Sequence, residues 1–282
     1  MNKIVWIASY PKSGNTWMRY LLGNYFFNQN NNFNADIISY LKKFHLDDKL
    51  LNLNRLQDLK ENPYNASKYW IKSQENLKIL NGDIAFLKTH NALININGNE
   101  FTNDDLTLAI IHIVRDPRDV VISYSKFNGL TIEQTINIMT KKNLYYTQDP
   151  KALSDISIIG SWGFHYDSWK NGIPSIPRIL IRYEDLIKNC SNIFENVIKF
   201  LSKHMNCKLN SRKIETSIEL SKFENLKKYE SKNTFKENVG FDDFFRVGKS
   251  NNWKKELSSY EAKIIEDKFN SEMIDLGYIT KH

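Results

Sequence analysis

Ile4-Val5-Trp6-Ile7-Ala8 runs directly into Ser9-Tyr10-Pro11-Lys12-Ser13-Gly14-Asn15-Thr16-Trp17, and a helical pattern continues from Thr16 to Phe27. An apolar run of this length without alternation reads as a strand buried on both faces, as in a parallel sheet. The loop behind it is built of small and polar residues. Strand, loop and helix start together aim backbone N–H groups and the positive end of a helix dipole at one point, a geometry suited to phosphate or sulfate. Lys12 adds a mobile cation. The order of residues is not that of a Walker A loop, in which the lysine directly follows the second glycine, because Lys12 precedes Gly14.

Working outward, three more apolar runs read as parallel strands: Ile84 to Leu87, Leu108 to Val114 and Ile179 to Ile181. Helical patterns cover Arg118 to Lys126, Ile158 to Trp169, Leu186 to Ser202 and Ser259 to Met273. Strands alternating with helices predict an α/β fold with a central parallel sheet flanked by helices. No Pro/Gly/Ser linker and no repeat divides the chain, so residues 1–282 read as one domain. The Asn-rich stretch Asn28 to Asn34 reads as a loop. Ligands of such sheets bind beyond the carboxyl ends of the strands, and each motif below sits where a strand ends.

The 282 residues are 41% hydrophobic, enough for a sizeable core, and carry a formal charge of +7. That charge is compatible with nucleic acid, a membrane surface or a small polyanion. The lysines are interspersed with acidic residues, as on an ordinary solvated surface. Two cysteines, Cys190 and Cys207, are too few for a disulfide scaffold; a reducing, cytoplasmic setting is expected. No apolar run reaches the length of a membrane span.

The second strand ends in Phe86-Leu87-Lys88-Thr89-His90, and the third leads into Val114-Arg115-Asp116-Pro117-Arg118-Asp119-Val120-Val121-Ile122-Ser123-Tyr124. Pro117 suits a first helical turn, which leaves Arg115 at the strand end and Ser123 about two turns into the helix. Arg115 could clamp an anion or pair with Asp116 or Asp119. A third strand-to-helix junction is Arg178-Ile179-Leu180-Ile181-Arg182-Tyr183-Glu184-Asp185-Leu186. On the residues alone Tyr183 reads as a buried core tyrosine, with Glu184 and Asp185 favouring the helix start. In Gly160-Ser161-Trp162-Gly163-Phe164-His165-Tyr166-Asp167-Ser168-Trp169 the aromatic spacing is helical, which favours packing, and His165 is not counted among the site residues.

These motifs resemble those of the sulfotransferases that use 3′-phosphoadenosine-5′-phosphosulfate (PAPS), especially the soluble, cytosolic-type branch and its bacterial members. Tyr10 to Trp17 is similar to that family's 5′-phosphosulfate loop. The resemblance implies that Lys12 contacts the bridging oxygen between phosphate and sulfate, that Ser13, Gly14, Asn15 and Thr16 cradle the 5′-phosphate, and that Trp17 packs on the adenine. It also implies that Arg115 and Ser123 bind the 3′-phosphate and that Tyr183 touches the nucleotide. Lys88-Thr89-His90 resembles the segment that carries the soluble branch's catalytic base.

The last family segment reads Arg-Lys-Gly, two variable residues, then Gly-Asp-Trp-Lys, and here it is Arg246-Val247-Gly248-Lys249-Ser250-Asn251-Asn252-Trp253-Lys254. Arg246, Gly248, Trp253 and Lys254 match. Val247, Asn251 and Asn252 depart, and the lost lysine at Val247 puts affinity for the 3′-phosphate in question, with Lys249 as a substitute cation.

The implied activity moves a sulfuryl group from PAPS to a hydroxyl or amine of a small-molecule acceptor, leaving 3′-phosphoadenosine-5′-phosphate (PAP). His90 takes the acceptor proton, while Lys12, helped by Lys88, stabilises charge at the transferred group. No metal and no nucleic-acid partner is expected. The short dimerisation motif of the animal enzymes is not found around Lys232 to Glu237, and the oligomeric state is unassigned. Asn28 to Lys72 and Asn128 to Ser157 carry no motif and are the expected seat of acceptor specificity. The competing reading is a catalytically impaired nucleotide- or polyanion-binding protein of the same fold. A Mg²⁺-dependent P-loop kinase lacks its lysine signature here.

Overall fold

The computed structural model of the chain describes residues 3–77, 84–146, 153–232 and 248–281. Its centre is a four-stranded parallel sheet formed by β1 (Lys3–Ser9), β2 (Ile84–Thr89), β3 (Thr107–Val114) and β4 (Arg178–Arg182), in the spatial order β2-β1-β3-β4. The register sets Ala8 opposite Thr89, Ser9 opposite Ile113 and Val114 opposite Arg182. All four strands therefore finish at one edge.

The unbroken apolar runs of β1 and β3 have the cause expected of them, because both sheet faces are covered there, whereas Leu180 of the edge strand β4 is exposed. Along β1, Val5 and Ile7 point into a core built with Met18, Leu21 and Leu22 of α1 (Asn15–Phe26). Ile4, Trp6 and Ala8 point into a second core containing Phe44, Trp70, Phe101 and Trp169. At about 25 cal/mol per Å² of apolar area, burying each of these large side chains stabilises the fold by roughly 1.5–3 kcal/mol. A third core joins α2 (Pro117–Asn128), α3 (Trp162–Asn171) and the C-terminal helices.

Three helical expectations are corrected. The helix expected from Ile158 starts at Trp162, since Ser157–Ile158 pairs with Tyr145–Tyr146 as a short ribbon and the Ser161 side chain caps the helix by accepting from Phe164 N. The helix expected over Leu186 to Ser202 is two: α4 (Tyr183–Lys188) and α5 (Cys190–Met205). Asn189 sits between them at φ −148°, and its side chain accepts from Asn192 N at 3.2 Å. An Asx cap restarts the helix, which apolar periodicity does not register. Further on come α6 (Ser211–Leu220) and α7 (Phe223–Glu230). The final expected helix likewise divides at Phe269 into α8 (Ser259–Lys268) and α9 (Asn270–Asp275).

Candidate active site

The loop after β1 bends through two left-handed residues, Lys12 (φ 68°) and Gly14 (φ 96°), before α1 begins. For Lys12 this conformation costs roughly 1–2 kcal/mol. It turns the Lys12 carbonyl toward Arg115, whose Nη1 donates to it at 3.2 Å. Gly14 is required on two counts: its φ, and the ring of Tyr183, whose Cδ2 would lie 2.4 Å from any Cβ placed there. The backbone thus approaches Tyr183 as closely as a chain can, at the start of α1. Asn15 is a brace, its Nδ2 donating to Ile7 O at 2.9 Å and Ser9 Oγ at 3.1 Å. Ser13 is fully buried, and its hydroxyl has no partner among the described residues.

Lys12 extends its ammonium over the ring of Phe127, 3.8 Å from the centroid. Phe127, Ser123 and Asp119 are spaced by four along α2, so they share one face of that helix. The structure therefore brings half-buried Ser123 onto the same face as the residues that meet Lys12 and Arg115. Trp17 packs edge-on against Tyr183 at 6.1 Å and donates its indole N–H to Ser221 O at 2.9 Å. Thr16 is buried in the first turn.

Across the strand edge, His90 lies just beyond β2. Its Nδ1 is 2.7 Å from the carbonyl oxygen of Ser9. A carbonyl only accepts, so Nδ1 carries the proton and Nε2 keeps its lone pair. Burial, then the neighbouring Lys88 charge, hold the imidazole well below its ordinary pKa, against the Ser9 hydrogen bond and with smaller contributions from Lys43 and His165. His90 is neutral in the resting protein. Lys88 itself is buried, with its backbone bridging to the Lys42–Phe44 segment.

Arg115 follows β3 and joins the two walls of the site. Besides its bond to the Lys12 carbonyl, Nη2 donates to Lys249 O at 3.2 Å, and the guanidinium sits 4.6 Å from the centre of the Tyr183 ring. Of the two carboxylates considered as its partners, Asp116 is engaged elsewhere, in a close pair with Arg118 at 2.6 Å. Asp119 comes only to 3.9 Å. The buried Arg115 Nε has no partner among the described residues.

Gly248 is the first described residue of the last motif, at φ 61°, and a Cβ there would meet the Phe223 ring at 2.5 Å. Arg246 and Val247 lie outside the described residues, as do positions 233–237 of the segment scanned for a dimerisation motif. One departure from the family pattern is conformationally neutral. Asn251 stands where the pattern has glycine, at φ 62°, and asparagine is among the residues that best tolerate that region. Lys249 offers its carbonyl to Arg115, while its side chain is exposed.

Three residues beside the candidate site were not singled out from sequence. Phe127 carried only the i+4 spacing as a signal. Lys43 and Asp155 form a fully buried ion pair, with His45 Nδ1 3.6 Å from the same carboxylate, and nothing local in the sequence marks it. His165, set aside as packing, is driven by burial down to about 3, against the smaller raising effect of the His90 and Asn91 backbone. Its Nε2, the His112 Nε2 and the Tyr10 hydroxyl are buried without partners among the described residues.

The sulfotransferase domain model matches residues 2–277. The chain belongs to that family. Among similar proteins are luciferin sulfotransferase of Photinus pyralis, 26% identical over 89% of this chain and 66% of its own length, and amine sulfotransferase of Oryctolagus cuniculus, 21% identical over 96% of this chain and 81% of its own length. Sulfotransferase 2A1 of Homo sapiens is 23% identical over 59% of this chain and 57% of its own length. This chain thus spans from just over half to about four-fifths of these relatives. Similar folds include mouse sulfotransferase SULT7A1 complexed with PAP, at a TM-score of 0.58 and 18% identity over 98% of this chain and 86% of that one. Retinol dehydratase in complex with androsterone and PAP has a TM-score of 0.62 at 17% identity, over 96% of this chain and 81% of that one. The α/β architecture with its central parallel sheet is the sulfotransferase fold. No helix among the described residues is long and apolar enough to cross a membrane.

Proposed function

We propose that the chain transfers the sulfuryl group of PAPS to a hydroxyl or amine of a small-molecule acceptor, with His90 as general base. The observation that carries this reading is the His90–Ser9 contact. It fixes the tautomer with Nε2 unprotonated, at the strand edge shared with the Lys12 loop. Sulfuryl transfer, like phosphoryl transfer, proceeds through a loose in-line transition state in which positioning and charge stabilisation dominate. His90 Nε2 accepts the acceptor proton as attack proceeds. The base is weak in the resting site because burial and cations disfavour imidazolium. An anionic donor beside Lys12 and Lys88 offsets those cations and raises its basicity when it is needed.

The donor pocket is supported by groups that fit an anionic nucleotide. Ser13 Oγ and Arg115 Nε are buried and unpartnered among the described residues, and Gly14 opens the backbone at the helix start. Lys12, Ser13 to Thr16 and Trp17 form the 5′ side of our assignment. Arg115, Ser123, Tyr183 and Gly248 form the 3′ side, with Arg246 and Val247 outside the described residues. Relatives named for luciferin, amines and hydroxysteroids support a small organic acceptor. The thiols of Cys190 and Cys207 are free, which supports a reducing, cytoplasmic setting.

The test is turnover with labelled PAPS across an acceptor panel, in the wild type and in His90→Ala. The variant should lose about 10²-fold or more in kcat while PAP affinity stays unchanged. Near-normal kcat in the variant with a saturating acceptor would remove His90 from its role.

A further inference from the structure

Asp119 lies on α2, four residues beyond Arg115, with only 2% of its surface exposed. A buried carboxylate at this position would be expected to neutralise the arginine through a bidentate pair. Its oxygens are used otherwise. Oδ2 accepts from Asn251 N at 2.7 Å and Oδ1 from Trp253 N at 3.0 Å. Both donors belong to the turn whose Lys249 carbonyl receives Arg115 Nη2 at 3.2 Å. Asn251 holds a left-handed backbone at φ 62°, and with Trp253 it directs two N–H groups onto one side chain.

We propose that Asp119 is a positioning residue of the donor site. It anchors the turn Lys249–Trp253 to α2, and through that turn it aims the Arg115 guanidinium without consuming it. The inference rests on the reading of Arg115 as the contact for the nucleotide's 3′-phosphate. Three features support it. The Asp119–Arg115 distance of 3.9 Å is too long for a hydrogen bond, so the guanidinium edge is not taken by this carboxylate. Arg115 is instead tethered by two neutral carbonyls, Lys12 O and Lys249 O, one on each wall of the site. The turn also has a second fixing point, since Trp253 lies over the Arg118 guanidinium at 3.8 Å and Arg118 is gripped in turn by Asp116 and Glu266. Asp119 therefore decides where the turn sits relative to Arg115, whereas the Arg118 group decides that it is attached at all.

Asp119→Asn is the direct test, because an amide keeps one acceptor and presents N–H to the other donor. Asn251→Val is the second variant: it strains the same turn from an exposed position and leaves the core untouched, so the experiment does not depend on Asp119→Asn folding. Asn251→Gly, which keeps the left-handed backbone, serves as control. Calorimetric titration with PAP and with AMP, which lacks the 3′-phosphate, gives the readout. The wild type should bind PAP at least tenfold tighter than AMP. Both Asp119→Asn and Asn251→Val should lose about tenfold or more in PAP affinity and less than about threefold in AMP affinity. Their KM for PAPS should rise in step, with kcat at saturating PAPS within about threefold of wild type. Asn251→Gly should match the wild type. Variants that preserve the wild-type PAP/AMP ratio, or that lose both nucleotides equally, overturn the positioning role while the donor site stands. A wild type that does not distinguish PAP from AMP overturns the 3′-phosphate assignment and this inference with it.

Discussion

Lowering the pH from 7 to 5.5 should destabilise the folded state through its buried imidazoles, by about 1.3 kcal/mol for each one that stays neutral. His90, His112 and His165 are each held far below the ordinary histidine pKa, mainly by burial, and His165 falls to about 3. The neighbouring groups reinforce this, with Lys88 and Lys43 acting on His90, and His165 and Arg178 on His112. In the unfolded chain the same imidazoles titrate near 6.5. Between the two values the unfolded state binds protons that the native state refuses, so stability is complete above the unfolded pKa and falls as the pH drops. For one histidine that stays neutral in the fold, the change from pH 7 to 5.5 is about 1.3 kcal/mol. Even one such group is a noticeable share of the roughly 5–15 kcal/mol typical of a domain, and His45, also lowered by burial, acts with the same sign. Asp116 and Glu184 act with the opposite sign, since burial raises their carboxyls and the native state protonates them first. Their effect grows as the pH nears the carboxylate range, which makes 7 to 5.5 the informative window.

The assay is equilibrium denaturant unfolding of the ligand-free chain at half-unit pH steps, followed by fluorescence of the six tryptophans. His112→Phe isolates one contribution. The imidazole lies 5.8 Å from the Tyr166 ring, nearly parallel to it, and its Nε2 has no partner among the described residues, so a phenyl ring occupies the same aromatic layer. Whatever that substitution does to absolute stability, it should shrink the drop between pH 7 and 5.5, by up to about 1.3 kcal/mol. An unfolding free energy that is flat within about 1 kcal/mol across this window would refute the argument.

Two further outcomes follow from contacts around the site. Asp155→Asn leaves the Lys43 ammonium buried beside a neutral amide and should destabilise the fold by about 3–5 kcal/mol, read from the unfolding midpoint; a loss below about 1 kcal/mol would mean that water already reaches the pair. Gly14→Ala forces a methyl against Tyr183 at a left-handed backbone position, so it should weaken PAP binding by tenfold or more in calorimetry, and unchanged affinity would show that the loop relaxes freely.

The elements visible in the sequence are those whose cause is local. β1, β2 and β3 announce themselves because a strand covered on both faces needs apolar residues at consecutive positions, and the phosphate-type loop is written in order between β1 and α1. What lies at the strand ends could also be read, because parallel topology carries all four ends to one edge whatever the helices between them do. Local periodicity fails where a capping side chain interrupts an apolar stripe without breaking it, as Asn189 and Ser161 do. It fails more completely for partners distant in the chain. Lys43 and Asp155 are 112 residues apart, and Asp119 meets Asn251 across 132 residues; Lys43 and Asp155 each look like an ordinary surface charge until the fold buries them.

Asn251 shows how a departure from a family pattern can mislead when the pattern is compared letter by letter. Glycine in that position supplies a backbone conformation, and asparagine can supply it too, so the change at Asn251 is compatible with the turn. The turn then depends less on its own residues than on the carboxylate that receives its two N–H groups. Asp119 reads in sequence as a rival for Arg115, and in the fold it supports the arginine.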